Sequence, residues 1–279
     1  MSVLLEHPHL LDIILGRTAA YIALALLLGI WLWEWRWQRQ LMHSNHYRAI
    51  AAISGSLGVL IVISNIALES SAPFDANNMA LPGLSDIASV LQTSFGIAWM
   101  VYGVSLLIAV ASSRQYLRFA GIMGMVTAMV LTSHAGEDGI YQLVFWIDAL
   151  HLASAMLWFG GLSLLLAFRL TGTEYTSRQD LQFFSWLALP VFICVLGSGA
   201  IRITLQYLET RTLASAYILM LMVKLLLISG VVILAGWLRH QLHHGSMHNT
   251  TYDQGITLEY FFALLLVLAT TTLTQLSPY

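Results

Sequence analysis

The chain has 279 residues, 58% of them hydrophobic and only 9% charged, with a mean hydropathy of +0.76 and a net charge of −2. Soluble domains are roughly half apolar and about one quarter charged, so this composition excludes a soluble fold. The few basic residues are scattered rather than pooled, so it also gives no signal for nucleic acid. It fits an integral membrane protein, whose first partner is lipid.

A helix needs about 20 largely apolar residues to cross the hydrocarbon core. Eight runs qualify, near residues 10–33, 47–69, 86–112, 117–136, 142–168, 182–208, 213–239 and 256–276. They are continuous rather than alternating, which excludes a transmembrane barrel and leaves helices as the way to satisfy backbone groups in lipid. The expectation is a single all-α domain over residues 1–279, a bundle of eight transmembrane helices.

Ahead of the first run, "EHPHL" carries His7 and His9. With no basic leader or small-residue cleavage motif before it, this run is expected to stay as a helix rather than be removed; it contains Asp12 and Arg17. The connection Glu69–Ser85 holds Pro73, Asn77, Asn78, Pro82 and Gly83 and reads as a turn region. Run four closes on "SHAGEDG", with His134 and Glu137, and run five contains "DALHLASAMLWFGGL", with Asp148 and His151. Run six carries Arg202 and the only cysteine, Cys194, so neither a disulfide framework nor a CxxC pair is available. Lys224 lies in run seven and Glu259 in run eight.

Arg36, Arg39, Arg48, Arg114, Arg118, Arg169, Arg178 and Arg239 flank one set of connections, whereas the other set carries Glu69, Asp75, Asp86, Glu137, Asp138 and Glu209 with only Arg211. Basic short loops stay on the cytoplasmic side. Both termini are therefore expected on the periplasmic side.

Ionisable residues inside a span are costly and usually face a partner or a cavity. Asp148 and His151, three apart, share one face of their helix with Ser154, Ala155 and Trp158. On run four Met123, Thr127, Val130 and His134 form one stripe, with Met125 and Met129 beside it. The short connection makes runs four and five antiparallel neighbours with both histidines in the outer half. Imidazole, carboxylate and thioether together suit copper, and Asp148 is expected either as a ligand or as the acid that holds the second nitrogen of His151. The competing reading is a polar clamp in which Asp148 and His151 pair with Arg202 or Arg17, the methionines being packing residues. Two histidines on neighbouring helices can also hold a haem axially. At the membrane surfaces, His7 and His9 form one cluster and His240, His243, His244 and His248 another. If the helix continues past Arg239, His240, His244 and His248 share a face that can capture metal; otherwise they are solvated connections, as His43 and His46 are expected to be.

Taken together, "SHAGE", "DALHLASAMLWFGGL", "AYILMLMVKLLLISGVVILAGWLRH" and "LEYFFALLLVLATTTLTQLSP" resemble the copper resistance protein D (CopD) family over roughly residues 117–278. The resemblance implies an inner-membrane protein of bacterial copper handling, not an enzyme, that works with a separately encoded periplasmic copper protein of the CopC type. It puts His134, Asp148, His151, Lys224 and Glu259 at family positions. No Walker sequence is present, so the expected activity is copper transport driven by gradient and ligand exchange, with uptake favoured because cytosolic thiols keep free copper scarce. The remaining alternatives are a haem-binding membrane oxidoreductase using His134 and His151, and a copper-sequestering protein that does not conduct.

Overall fold

The computed structural model describes residues 10–37, 45–71, 83–133, 136, 139–171, 177–210, 214–244 and 250–274. Every element among them is a helix: α1 (Leu10–Arg36), α2 (Asn45–Ser71), α3 (Leu84–Leu91), α4 (Ser94–Ala111), α5 (Gln115–Leu131), α6 (Leu143–Leu170), α7 (Arg178–Thr210), α8 (Ser215–His244) and α9 (Thr250–Leu273). Seven of these, all but α3 and α5, are long and apolar enough to cross a membrane.

Two runs differ from expectation, for local reasons. The third is broken into α3 and α4 because Thr93 caps α4, its Oγ1 accepting from the Gly96 amide at 3.1 Å. Gly96 packs so closely on the Val90 carbonyl that a Cβ there would collide with it. The fourth run ends early, and α5 has only 17 residues. The Thr132 and Ser133 hydroxyls donate back to the carbonyls of Met129 (2.9 Å) and Val130 (2.7 Å), a local bonding pattern that competes with helix continuation.

Helices α1 and α6 cross at the centre. A Cβ on Gly160 would land on the Ala25 carbonyl, and one on Gly29 would land on the carbonyl of Gly160. Lipid gives apolar side chains no reason to leave it, so small residues that admit close backbone contact carry helix association here. Trp33, fully buried, adds a hydrogen bond from Nε1 to the Gly161 carbonyl at 3.1 Å. Around this pair, α2, α4 and α5 pack on one side, α7 lies along α6, and α9 leans on α1 and α6 with α8 outside it.

The ends of the helices that carry the arginine-rich connections, hereafter the basic end, are tied side chain to side chain. Arg118, expected as a loop flank, is buried on α5 and pairs with the equally buried Glu34 of α1. It also donates to the carbonyls of Ala109 (3.2 Å) and Ser112 (2.7 Å). Asp180 of α7 accepts from Trp37 Nε1 at 3.0 Å and pairs with Arg36 at 3.3 Å. Arg169 of α6 pairs with Asp253 of α9, and Arg178 donates to the Leu242 carbonyl at 2.8 Å. Arginines that read as topology signals thus also bind one helix to the next.

Gly160→Leu should destabilise the folded protein in detergent by about 1–3 kcal/mol or more, the usual cost of overpacking, and lower its melting temperature. Gly197→Leu, where a Cβ meets nothing within 4 Å, should leave it unchanged or raised. Equal melting of the two variants would show that the α1–α6 crossing is not the closely packed element described.

Candidate functional site

Away from the basic end, a cavity of about 440 Å³ opens between α6, α7, α8 and α9, reaching α5 and Tyr21 of α1. Asp148, His151, Arg202 and Lys224 all line it. The predicted polar face of α6 is present: Asp148 and His151 are half-buried at the cavity, and Ser154 and Trp158 continue the stripe into the core.

Helix α7 presents Val195, Ser198, Gly199 and Arg202, spaced i, i+3, i+4 and i+7, to this face of α6. His151 Nδ1 lies 3.0 Å from the Val195 carbonyl and 3.0 Å from Ser198 Oγ. A carbonyl only accepts, so Nδ1 carries the proton and Nε2 keeps its lone pair. The Ser198 hydroxyl donates to the Cys194 carbonyl at 2.5 Å, which leaves its oxygen free to accept from the ring. A Cβ at position 199 would stand 3.3 Å from His151 Cε1, so glycine there lets the imidazole seat against α7.

The acid expected behind His151 is therefore replaced by a carbonyl and a hydroxyl. Asp148 turns instead to Arg202, with Oδ2 3.3 Å from Nε. The antiparallel register explains the exchange: His151 lies opposite residues 195 and 198, which places Asp148, one turn earlier, opposite residue 202. Lys224 of α8 lines the same cavity. Among the described residues that line the cavity, one carboxylate, Asp148, stands with two basic side chains, Arg202 and Lys224. Arg17 is not part of this cluster; its Nη2 donates to the Met129 carbonyl (3.3 Å), the Thr132 carbonyl (3.1 Å) and Thr132 Oγ1 (3.2 Å), closing the end of α5. Near Arg202, Tyr217 donates to Gln206 Oε1 at 3.2 Å.

Among the described residues no group of three or more His, Cys, Asp and Glu side chains gathers as a metal site. His7, His9, His134, Glu137 and His248 lie outside the described residues. Ser133, immediately before His134, lines the cavity, and so does the buried Met129. Helix α8 continues past Arg239 to His244, as the surface-cluster reading required. His240 is exposed on it, and the side chains of His243 and His244 are not among those described. Glu259 is remote from His151: it faces a second cavity, of about 240 Å³, toward the basic end. Sequence reasoning missed Val195 and Ser198. The small-residue run Gly197, Ser198, Gly199 opposite an Asp-x-x-His helix is the signal that could have found them.

Comparison with protein-family models, with curated proteins and with solved structures returns no match.

The Asp148–Arg202 pair, with both side chains 23% exposed, lies between exposed pairs worth about 0.2–1 kcal/mol and buried pairs whose breakage costs about 3–5 kcal/mol. A cycle of Asp148→Asn, Arg202→Gln and the double variant should show a coupling of about 1–2 kcal/mol in thermal unfolding. Strict additivity would remove the pair from the description.

Proposed function

We propose that this chain is a CopD-type copper transport protein of the bacterial inner membrane, with eight spans and both termini in the periplasm, in which His151 is the principal copper ligand of the outer half. The observation that carries this reading is the anchoring of His151 through Nδ1, which leaves Nε2 as an unprotonated donor at a cavity wall. Metal-binding imidazoles are commonly held this way, the other nitrogen donating to a carbonyl or carboxylate. Met129 and, from the adjoining segment, His134 and Glu137 are the further donors of the proposed site, and a His and thioether set suits Cu(I).

Arg202 and Lys224 sharpen the proposal. A single positive charge is easier to bring beside them than two, which also favours Cu(I), and Asp148 takes part by exchanging Arg202 for the metal. Copper is delivered from a periplasmic CopC-type protein, with His7 and His9 as candidate ligands on the outer side, and is released on the cytoplasmic side at His240, His243, His244 and His248. No catalytic step is required.

Metal analysis of purified protein should show bound Cu(I) reduced at least about tenfold in His151→Ala, and reduced less in Ser198→Ala, where the Val195 carbonyl still holds Nδ1, since loss of a direct ligand commonly exceeds the roughly 10- to 100-fold cost of losing an outer partner. Cells overproducing the protein should accumulate copper, and His151→Ala should abolish the gain. Unchanged copper in His151→Ala would refute the site, and a Soret band in the purified protein would favour haem bound by His134 and His151 instead. For topology, a periplasmic reporter should be active after Ser277 and near Asn77 and silent near Gly245; activity at Gly245 would reverse the orientation.

A further inference from the structure

The two cavities lie end to end in one crevice. Along α6 the lining passes from Leu152 to Trp158, along α7 from Val195 to Phe192, and along α8 from Ile228 to Val231, so one or two helical turns separate them. Trp158 and Phe192 stand between, in edge contact with ring centroids 6.4 Å apart.

The inner cavity is apolar apart from Ser185, Arg239 and Glu259. Glu259 is 6% exposed, and it makes no hydrogen bond or ion pair with any described residue. The charged groups around it are few. From α8, Arg239 lines the same cavity, its guanidinium over the Trp186 ring at 5.3 Å. Helices α6 and α7 contribute no ionisable side chain to the lining, and α1, which packs on α9, contributes no lining residue. Asp253, earlier on α9, is occupied by Arg169.

An ionised carboxylate without a partner is too costly to keep in such surroundings, so something must neutralise it. A resident metal ion needs several further donors, and the lining supplies one hydroxyl and a repelling guanidinium. A proton needs only the carboxylate oxygen. We infer that Glu259 is a proton-binding site, exchanging with the basic end past Arg239 and separated from the His151 cavity by the Trp158–Phe192 contact. Resting on the copper reading above, a Cu(I) ion that passes the aromatic contact displaces this proton: the O–H bond of the carboxyl group breaks, the carboxylate faces the passing ion, and the proton leaves to water at the basic end.

The proton site is tested without copper. Dicyclohexylcarbodiimide, an apolar reagent, adds the O–H of a protonated carboxyl group across its C=N bond, and peptide mass spectrometry locates the adduct. Full-length protein in detergent should be labelled on Glu259, at least about fivefold more at about pH 6 than at about pH 9. Asp148, paired with Arg202, should remain unlabelled, and Glu259→Gln should carry no adduct at that position. No labelling of Glu259 at the lower pH, or a yield independent of pH, with melting unchanged, would overturn the site. Coupling is read on loading rather than on turnover: Cu(I) binding to wild type in weakly buffered detergent solution should release more protons than binding to Glu259→Gln, with copper uptake followed separately in proteoliposomes. Equal proton release in both would overturn the coupling. Absence of copper uptake by wild type would remove the transport reading and the coupling with it, while the carbodiimide result still decides whether Glu259 binds a proton.

Discussion

The backbone contact of α1 with α6 at Gly29 and Gly160 is the constraint from which the rest of the bundle is laid out. In lipid there is no solvent penalty to drive apolar helices together, so association follows where backbones approach and polar groups find partners. Here the approach fixes α1 at the centre, seats Trp33 on the Gly161 carbonyl, and occupies one side of α6. The other side of α6, with Asp148 and His151, is thereby turned toward α7.

Polar contacts are distributed unevenly along the bundle, and the distribution matters for function. At the basic end, Glu34–Arg118, Arg36–Asp180 and Arg169–Asp253 connect α1, α5, α6, α7 and α9. At the opposite end Tyr217 of α8 donates to Gln206 of α7, and the membrane-crossing stretches of both helices have few buried residues. The cavity that holds His151 therefore has one wall, α6, packed on the central helix α1, and another, α8, packed on α9.

The way His151 is held also bears on charge. A carboxylate behind the ring would have added a negative charge to the cavity. A carbonyl and a hydroxyl orient the imidazole equally well while leaving it neutral, and Asp148 is engaged by Arg202. Among the described residues, the outer cavity is lined by Asp148, His151, Arg202 and Lys224, whereas the inner one has a single acid, Glu259, and the guanidinium of Arg239.

Composition and the length of the apolar runs were enough to determine an all-helical membrane protein, and the three-residue spacing of Asp148 and His151 was enough to put them on one face of one helix, because both follow from local geometry and transfer energetics. Thr93 and Thr132, each acting within one turn, were legible in principle but hidden inside long apolar runs. What answers each polar group was decided by tertiary structure alone. Nothing near position 151 in the chain indicates that Val195 and Ser198 will hold its ring, that Arg202 will take Asp148, or that Arg118 will be buried against Glu34, since these pairings depend on the register and crossing of helices far apart in sequence, and that register is set by where glycines let backbones touch.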